Sequence, residues 1–328
     1  MTRRGFVLSL LSGSVLALSG ASFLRKYTEG GMRAPAFIAR AGDYEGEIAS
    51  LIIAGLRELG INEKEIAGRK VLLKPNLVEP RRDCAHINTH PLVVRGALEA
   101  FLHMGADQVA VAEGAGHSRD SMLVLEESGL ATVLQSDGIP FVDLNYDPVY
   151  TTENLGNRTK SKTFVLPRLL QRFDILVSMP KLKTHHWTGV TLSMKNLFGL
   201  MPGEFYGWPK NVLHHQGISR SILDINATVR PHLAIVDGIV GMEGDGPIMG
   251  QPRHVGVLVM GRNFPAVDAT CARIMGIDPT RIEHLAGASG WLGPIAEKHI
   301  IQRGETIAAV QTPFRLIERI PAQRDIHL

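Results

Sequence analysis

Residues 43–78 read DYEGEIASLIIAGLRELGINEKEIAGRKVLLKPNLV, and the two ends of this stretch follow different periods. Over 43–59 apolar residues recur at helical spacing, and Gly60 supplies a stop. KVLLK at 70–74 is instead a short unbroken apolar run between two lysines, the pattern of a strand covered on both faces. A helix followed by a buried strand is the repeating unit of an α/β sheet. Working outward, the spacing predicts helices over 91–104, around 120–127, and over 218–229 and 265–275. It predicts strands over 108–112, 140–144, 163–166, 173–178 (FDILVS), 232–236 (HLAIV) and 255–260 (VGVLVM). The fold class expected is α/β, a mostly parallel sheet with helices on both faces, with a second lobe beginning near residue 180 left open.

Composition sets the outer bounds. The chain has 328 residues, 45% of them hydrophobic and 20% charged, with 34 Gly and 18 Pro, which excludes disorder, collagen and coiled coil. The net charge is +3, with Arg3 and Arg4 supplying two of the positive charges, so no excess argues for nucleic acid as a partner. Cys84 and Cys271 are the whole cysteine complement, and a four-thiolate cluster needs about four such ligands, so no self-contained iron–sulfur cluster is expected. A disulfide between the two stays open, because separation in sequence decides nothing.

The chain opens MTRRGFVLSLLSGSVLALSGASF, in which Arg3 and Arg4 precede an uncharged run from Gly5 to Leu24. Thr2-Arg3-Arg4-Gly5-Phe6-Val7 resembles the twin-arginine signal pattern, and Ser19, Gly20 and Ala21 offer a cleavage site. Residues 1–30 are therefore expected to be a twin-arginine signal peptide or a membrane anchor, with 31–328 a single α/β domain. The expected location is the periplasm, or the membrane facing it, with the twin-arginine export machinery as a partner. Proteins that take this route cross already folded, which favours a bound cofactor without naming one.

Unusual polar residues follow the predicted strands directly. Lys74-Pro75-Asn76 follows the first, Glu113-Gly114-Ala115-Gly116 the next, and Pro180-Lys181-Leu182-Lys183-Thr184-His185-His186 the strand over 173–178. Asp237-Gly238, then Glu243-Gly244-Asp245-Gly246-Pro247, follow the strand over 232–236. In open α/β sheets the ligand crevice lies outside the carboxyl ends of the strands, so these loops are expected to converge. Lys74, Lys181, Lys183 and Lys195 are candidates for an anion cradle, with Asn76, Thr184, Asn196 and Asp237 as further binding residues. His185 is the candidate acid or base, with Lys195 and Glu243 beside it as catalytic candidates. His185, His214 and Asp237 form a candidate site for a divalent metal, although their spacing matches no standard motif. Adjacent histidines on an extended chain point to opposite sides, so at most one of His185 and His186 is expected to face a common site.

At these positions the sequence resembles the family called domain of unknown function number 362. The likeness spans 68–295 and rests on VLLKPNLV, THPLVVRGALEAF, MPKLKTHHWTGVTLSMKNLFG, VDGIVGMEGDGPIMGQP and AVDATCARIMG, in that order. It implies that Lys74, Asn76, Lys181, Lys183, Thr184, His185, Lys195, Asn196, Asp237, Glu243, Gly244, Gly246, Pro247 and Asp268 are the characteristic positions, and it supplies no reaction. Some relatives carry a cysteine-rich ferredoxin domain, which is not expected of these 328 residues with their two cysteines. The expectation is an exported enzyme acting on a small anionic ligand. The alternative is a non-enzymatic periplasmic metal- or ligand-binding protein serving a redox or cofactor pathway.

Overall fold

The computed structural model describes residues 32–116 and 120–328, so the expected export segment lies outside the described residues. The strands are β1 (Ala34–Arg40), β2 (Lys70–Pro75), β3 (Gln108–Glu113), β4 (Phe141–Asp143), β5 (Val149–Glu153), β6 (Thr163–Pro167), β7 (Ile175–Met179), β8 (Lys181–His185), β9 (Gly189–Val190), β10 (Leu233–Glu243), β11 (Gln251–Gly261) and β12 (Ile300–Gly304). The principal helices are α1 (Ile48–Glu58), α2 (Pro91–His103), α3 (Ser121–Glu127), α4 (Leu130–Ser136), α5 (Ser193–Asn196), α6 (Asn211–His215), α7 (Ile218–Val229), α8 (Phe264–Ile274) and α9 (Glu283–Ala288).

The main sheet has the order β12-β1-β11-β10-β7-β2-β3-β4. From β4 through β3, β2 and β7 to β10 every pairing is parallel. β11 then runs antiparallel to both β10 and β1, and β12 is parallel to β1. Strands from before and after residue 180 share this sheet. Side chains alternate across it. Val71, Leu73, Val109, Val111, Val177 and Ile235 face a core built with α1, α2, α3 and α4, whereas Leu72, Ala110, Leu176 and Ala234 face a core built with α5, α7, α8 and α9. Both faces are thus covered by helices, and each fully buried Ile or Leu stabilises the fold by roughly 1.5–3 kcal/mol. Among the described residues no helix is long and apolar enough to cross a membrane.

Two expectations change here. The segment after Pro180, expected to be a loop, is the strand β8, and all five of its residues are buried. It runs on from β7 and pairs with β10 in parallel, bringing Lys181 opposite Asp237 and Lys183 opposite Met242. The acidic stretch from Asp237 to Glu243 is likewise strand, the second half of β10, held against β11. Gly241 permits this packing, because a Cβ there would lie 2.7 Å from the Leu182 carbonyl oxygen on β8. Cys84 and Cys271 are both free thiols, so they form no disulfide.

Candidate functional site

A cavity of about 170 Å³ opens beyond the carboxyl ends of β2, β3 and β8. Lys74 and Asn76 enter it from the end of β2, Glu113 from β3, and Lys183 and His185 from β8. The turn carrying Lys195 and Asn196, and the segment carrying Lys210 and His214, close its other side. Lys74 continues the alternation of Leu72, so it projects from the face covered by α5.

The lysine turn is held from a distance. α5 has no side-chain cap of its own, and the carboxylate of Asp268 on α8 accepts the backbone N–H groups of Ser193 (2.8 Å) and Met194 (2.9 Å) and the Ser193 hydroxyl. Burial pushes the Asp268 carboxyl up to about 7, against the pull of these three donors. Asn196 then ties the turn to the sheet, donating from Nδ2 to Lys74 O (3.2 Å) and Ser178 Oγ (3.0 Å).

Four amines meet one carboxylate here. Lys74 Nζ donates to Glu113 Oε2 at 2.7 Å and to Asn196 Oδ1 at 3.2 Å, an ion pair with both partners buried. Lys183 Nζ donates only to the backbone carbonyls of Ile87 (2.8 Å) and Pro247 (3.3 Å). Lys210 Nζ donates to Asn145 Oδ1 and lies 5.0 Å from the centre of the Trp208 ring. Lys195 Nζ lies 4.7 Å from the centre of the Phe198 ring. Desolvation lowers the pKa of all four. Lys183 falls well below the ordinary range, with repulsion from Lys195 and Lys181 added to burial. Lys195 falls to about 8 by burial and the charge of Lys74, and Lys210 to about 7 by burial. Two polar atoms in the wall, Thr191 Oγ1 and Asn76 Oδ1, are buried without a hydrogen-bond partner among the described residues. A concentration of amines with an uncommitted hydroxyl is the electrostatic signature of an anion site, while the Asn76 oxygen, an acceptor only, suits an N–H or O–H group of the same ligand.

The histidines hold complementary tautomers. His185 Nδ1 accepts the Trp187 N–H at 3.0 Å, so the proton of the neutral ring sits on Nε2. His214 Nδ1 lies 3.0 Å from Lys210 O, and since a carbonyl only accepts, Nδ1 carries the proton and Nε2 is bare. Burial and the charge of Lys195 hold His185 well below 6.5 and His214 at about 4, so both rings are neutral at pH 7. One ring therefore offers an N–H donor and the other an unprotonated nitrogen.

Several candidates from the sequence lie elsewhere. Lys181 Nζ forms a buried ion pair with Asp237 Oδ2 at 2.5 Å, and Asp237 also accepts the Tyr44 hydroxyl (3.2 Å) and the His90 N–H (2.9 Å). Neither Lys181 nor Asp237 lines the cavity, because each is the other's partner across β8 and β10. Thr184 turns its hydroxyl to the Gly244 carbonyl (2.8 Å), outside the cavity wall. Glu243 accepts the Arg315 N–H (2.9 Å) and faces Arg253, so it is not beside His185 as a catalytic partner. The metal set His185, His214 and Asp237 is divided in the same way, since Asp237 sits away from the two rings. Among the described residues no three His, Cys, Asp or Glu side chains group as a metal site. His185 and His186 both line the cavity, contrary to the alternation expected of them, because β8 ends at His185 and the chain turns there, tilting the rings 4.9 Å apart.

Lys210 was missed by sequence reasoning. It stands in GWPKN with no apolar run around it, so locally it resembles any solvated lysine, yet it is 2% exposed. Glu113 has no partner legible in its own stretch of sequence, because its pairing with Lys74 joins two strands 39 positions apart.

Comparison with known proteins supplies relatives without supplying a reaction. The chain is 29% identical over 257 residues to a thylakoid-associated protein of Synechocystis, covering 76% of this chain and 77% of that protein. Two solved structures are similar to it at low TM-score: a Thermotoga maritima protein (16% identity, TM-score 0.40, 69% of this chain) and the lactate racemase apoprotein of Thermoanaerobacterium thermosaccharolyticum (13%, 0.43, 76%). This chain covers 57% and 58% of their respective lengths. The family model described as domain of unknown function DUF362 matches residues 71–273, a span running from β2 through most of α8 and including every side chain of the cavity described above, and the chain belongs to that family.

Proposed function

We propose that the cavity binds a small anion and acts on it as an enzyme. Lys183, Lys195 and Lys210 supply the positive field, the Thr191 hydroxyl donates to the ligand, and His185 and His214 serve as proton donor and acceptor. The observation that carries this reading is the charge imbalance. Among the described residues, three lysines of the wall have no carboxylate partner, and a buried hydroxyl beside them has no hydrogen-bond partner. Burying uncompensated cations is unfavourable, and a bound carboxylate or phosphate would offset that cost. The opening Thr2-Arg3-Arg4-Gly5-Phe6-Val7 supports a second part of the proposal, that the protein is exported through the twin-arginine machinery.

Titration calorimetry with phosphate, pyruvate and lactate tests the anion reading. Binding of at least one of these is expected, weakened about tenfold or more by Lys183→Met, since a charged hydrogen bond contributes roughly 1.5–3 kcal/mol. Absence of binding by all three, or equal binding by the variant, contradicts it. His185→Gln and His214→Asn separate turnover from binding. Loss of turnover with retained affinity fits an enzyme, and a protein that holds the anion without converting it is a binding protein.

A further inference from the structure

We propose that the Lys195 amine is a nucleophile that condenses with the carbonyl group of a small anionic aldehyde or 2-oxo acid to form an imine; this rests on the anion-site reading above and names its substrate class. Of the four amines in the wall, Lys74 is tied to Glu113, Lys183 to two carbonyls and Lys210 to Asn145. Lys195 has no hydrogen-bond or ion-pair partner among the described residues. Its Nζ stands over the Phe198 ring, 4.7 Å from the centroid, and the same ring meets His214 at 5.5 Å. The Phe198 face by itself favours the ammonium, but burial with no hydrogen-bond acceptor, beside the charge of Lys74, outweighs it and favours the neutral amine whose lone pair is free. The Asp268 cap and the Asn196 bridge fix the turn that carries it. Lys183 and the Thr191 hydroxyl remain for the carboxylate or phosphate end of the substrate.

The chemistry balances without an oxidant or reductant. The neutral amine adds to the carbonyl carbon and the C=O π pair moves onto oxygen. One N–H proton passes to that oxygen, and the bare Nε2 of His214 is suited to carry it. The nitrogen lone pair then forms C=N as the hydroxyl leaves, taking the second N–H proton, so carbonyl and amine become imine and water. The Nε2–H of His185 can hold the developing oxyanion by a hydrogen bond. With the amine at about 8, about one molecule in ten is neutral and reactive at pH 7.

Reductive trapping tests this on the purified protein. Glyoxylate, an aldehyde carrying a carboxylate, is added with cyanoborohydride at pH 7, and labelled lysines are mapped by peptide mass spectrometry, with glyoxylate binding measured separately by calorimetry. Lys195 is expected to label about tenfold faster than the exposed Lys160 and Lys162, with protection by phosphate or pyruvate, and Lys195→Arg abolishes that label. If glyoxylate binds and Lys195 stays unlabelled, the imine is wrong and the anion site stands. If glyoxylate, pyruvate and phosphate do not bind and labelling spreads over surface lysines, both fall. Should Lys195→Arg fail to fold, site mapping and protection on the unaltered protein still decide.

Discussion

At the scale of single residues, the lysines that look alike in the sequence divide into two kinds. Lys181 is neutralised by Asp237 in a fully buried pair, whereas Lys183 meets only carbonyls and the repulsion of other lysines. Lys181→Ala leaves the Asp237 carboxylate buried and unpaired, so a loss of about 3–5 kcal/mol is expected in urea denaturation. Lys183→Met removes a buried amine that has no carboxylate partner among the described residues, and the empty protein should stay within about 1 kcal/mol of its original stability while its anion affinity drops. Equal losses in the two variants would erase the distinction. The amines also predict a pH dependence. Lys210 sits at about 7 in the fold against an ordinary 10.5, so above pH 7 the unfolded chain holds a proton that the folded chain has released. Stability of the empty protein should therefore rise with pH from about 7 to about 8.5, by up to about 1.4 kcal/mol per unit from this group. Lys195 joins near the top of that range, and above it the buried Cys271 thiol, which keeps its proton in the fold, acts with the opposite sign. Denaturation of Lys210→Met over the same range should show a flatter slope, and anion affinity should fall as the amines lose their charge.

At the scale of elements, the short helix α5 matters more to the site than its four residues suggest. Its cap comes from Asp268 on α8, 75 positions away from Ser193. Asp268→Asn keeps the shape and removes the acceptor of one of two backbone N–H groups. A loss of about 1–3 kcal/mol is expected, with weaker anion binding because Lys195 and Asn196 ride on this turn. If calorimetry shows unchanged affinity in a destabilised variant, the turn does not position the site. The next segment has no slack. A Cβ on Gly199 would run into the Glu113 carboxylate and come within 2.6 Å of Lys74 Nζ. Gly199→Ala should therefore disturb the Lys74–Glu113 ion pair, visible as lowered stability and altered anion affinity together.

At the scale of the whole molecule, the parallel half of the sheet, from β4 to β10, puts the ends of β2 and β3 side by side, and the site forms beyond them. The antiparallel β11 and β1 extend the sheet on the other side without adding a side chain to the cavity. The proposed export route makes folding of this unit and delivery of the chain separable. Replacing Arg3 and Arg4 by lysine should leave the melting temperature unchanged and stop export, read by cell fractionation. A double variant that still reaches the periplasm would assign the segment to another route.

What could be learned from the sequence alone is what depends on near neighbours in the chain. The runs KVLLK and FDILVS mark β2 and β7, since a strand covered on both faces must be apolar at every position. The residues just after such runs, Lys74, Asn76 and Glu113, stand at the sheet's carboxyl edge for the same local reason. The tertiary structure decided everything that depends on a partner far along the chain. β8 was invisible because KLKTH reads as polar, and only Asp237, 56 positions on, makes Lys181 a core residue. The direction of β11 was equally hidden, since an apolar run does not specify whether its neighbour runs with it or against it. Lys210 reached the cavity by a turn whose sequence carries no period, and Glu243 left it through a hydrogen bond to the Arg315 backbone. Burial of a charge depends on what stands opposite it in space, and that is settled only when the strands pair.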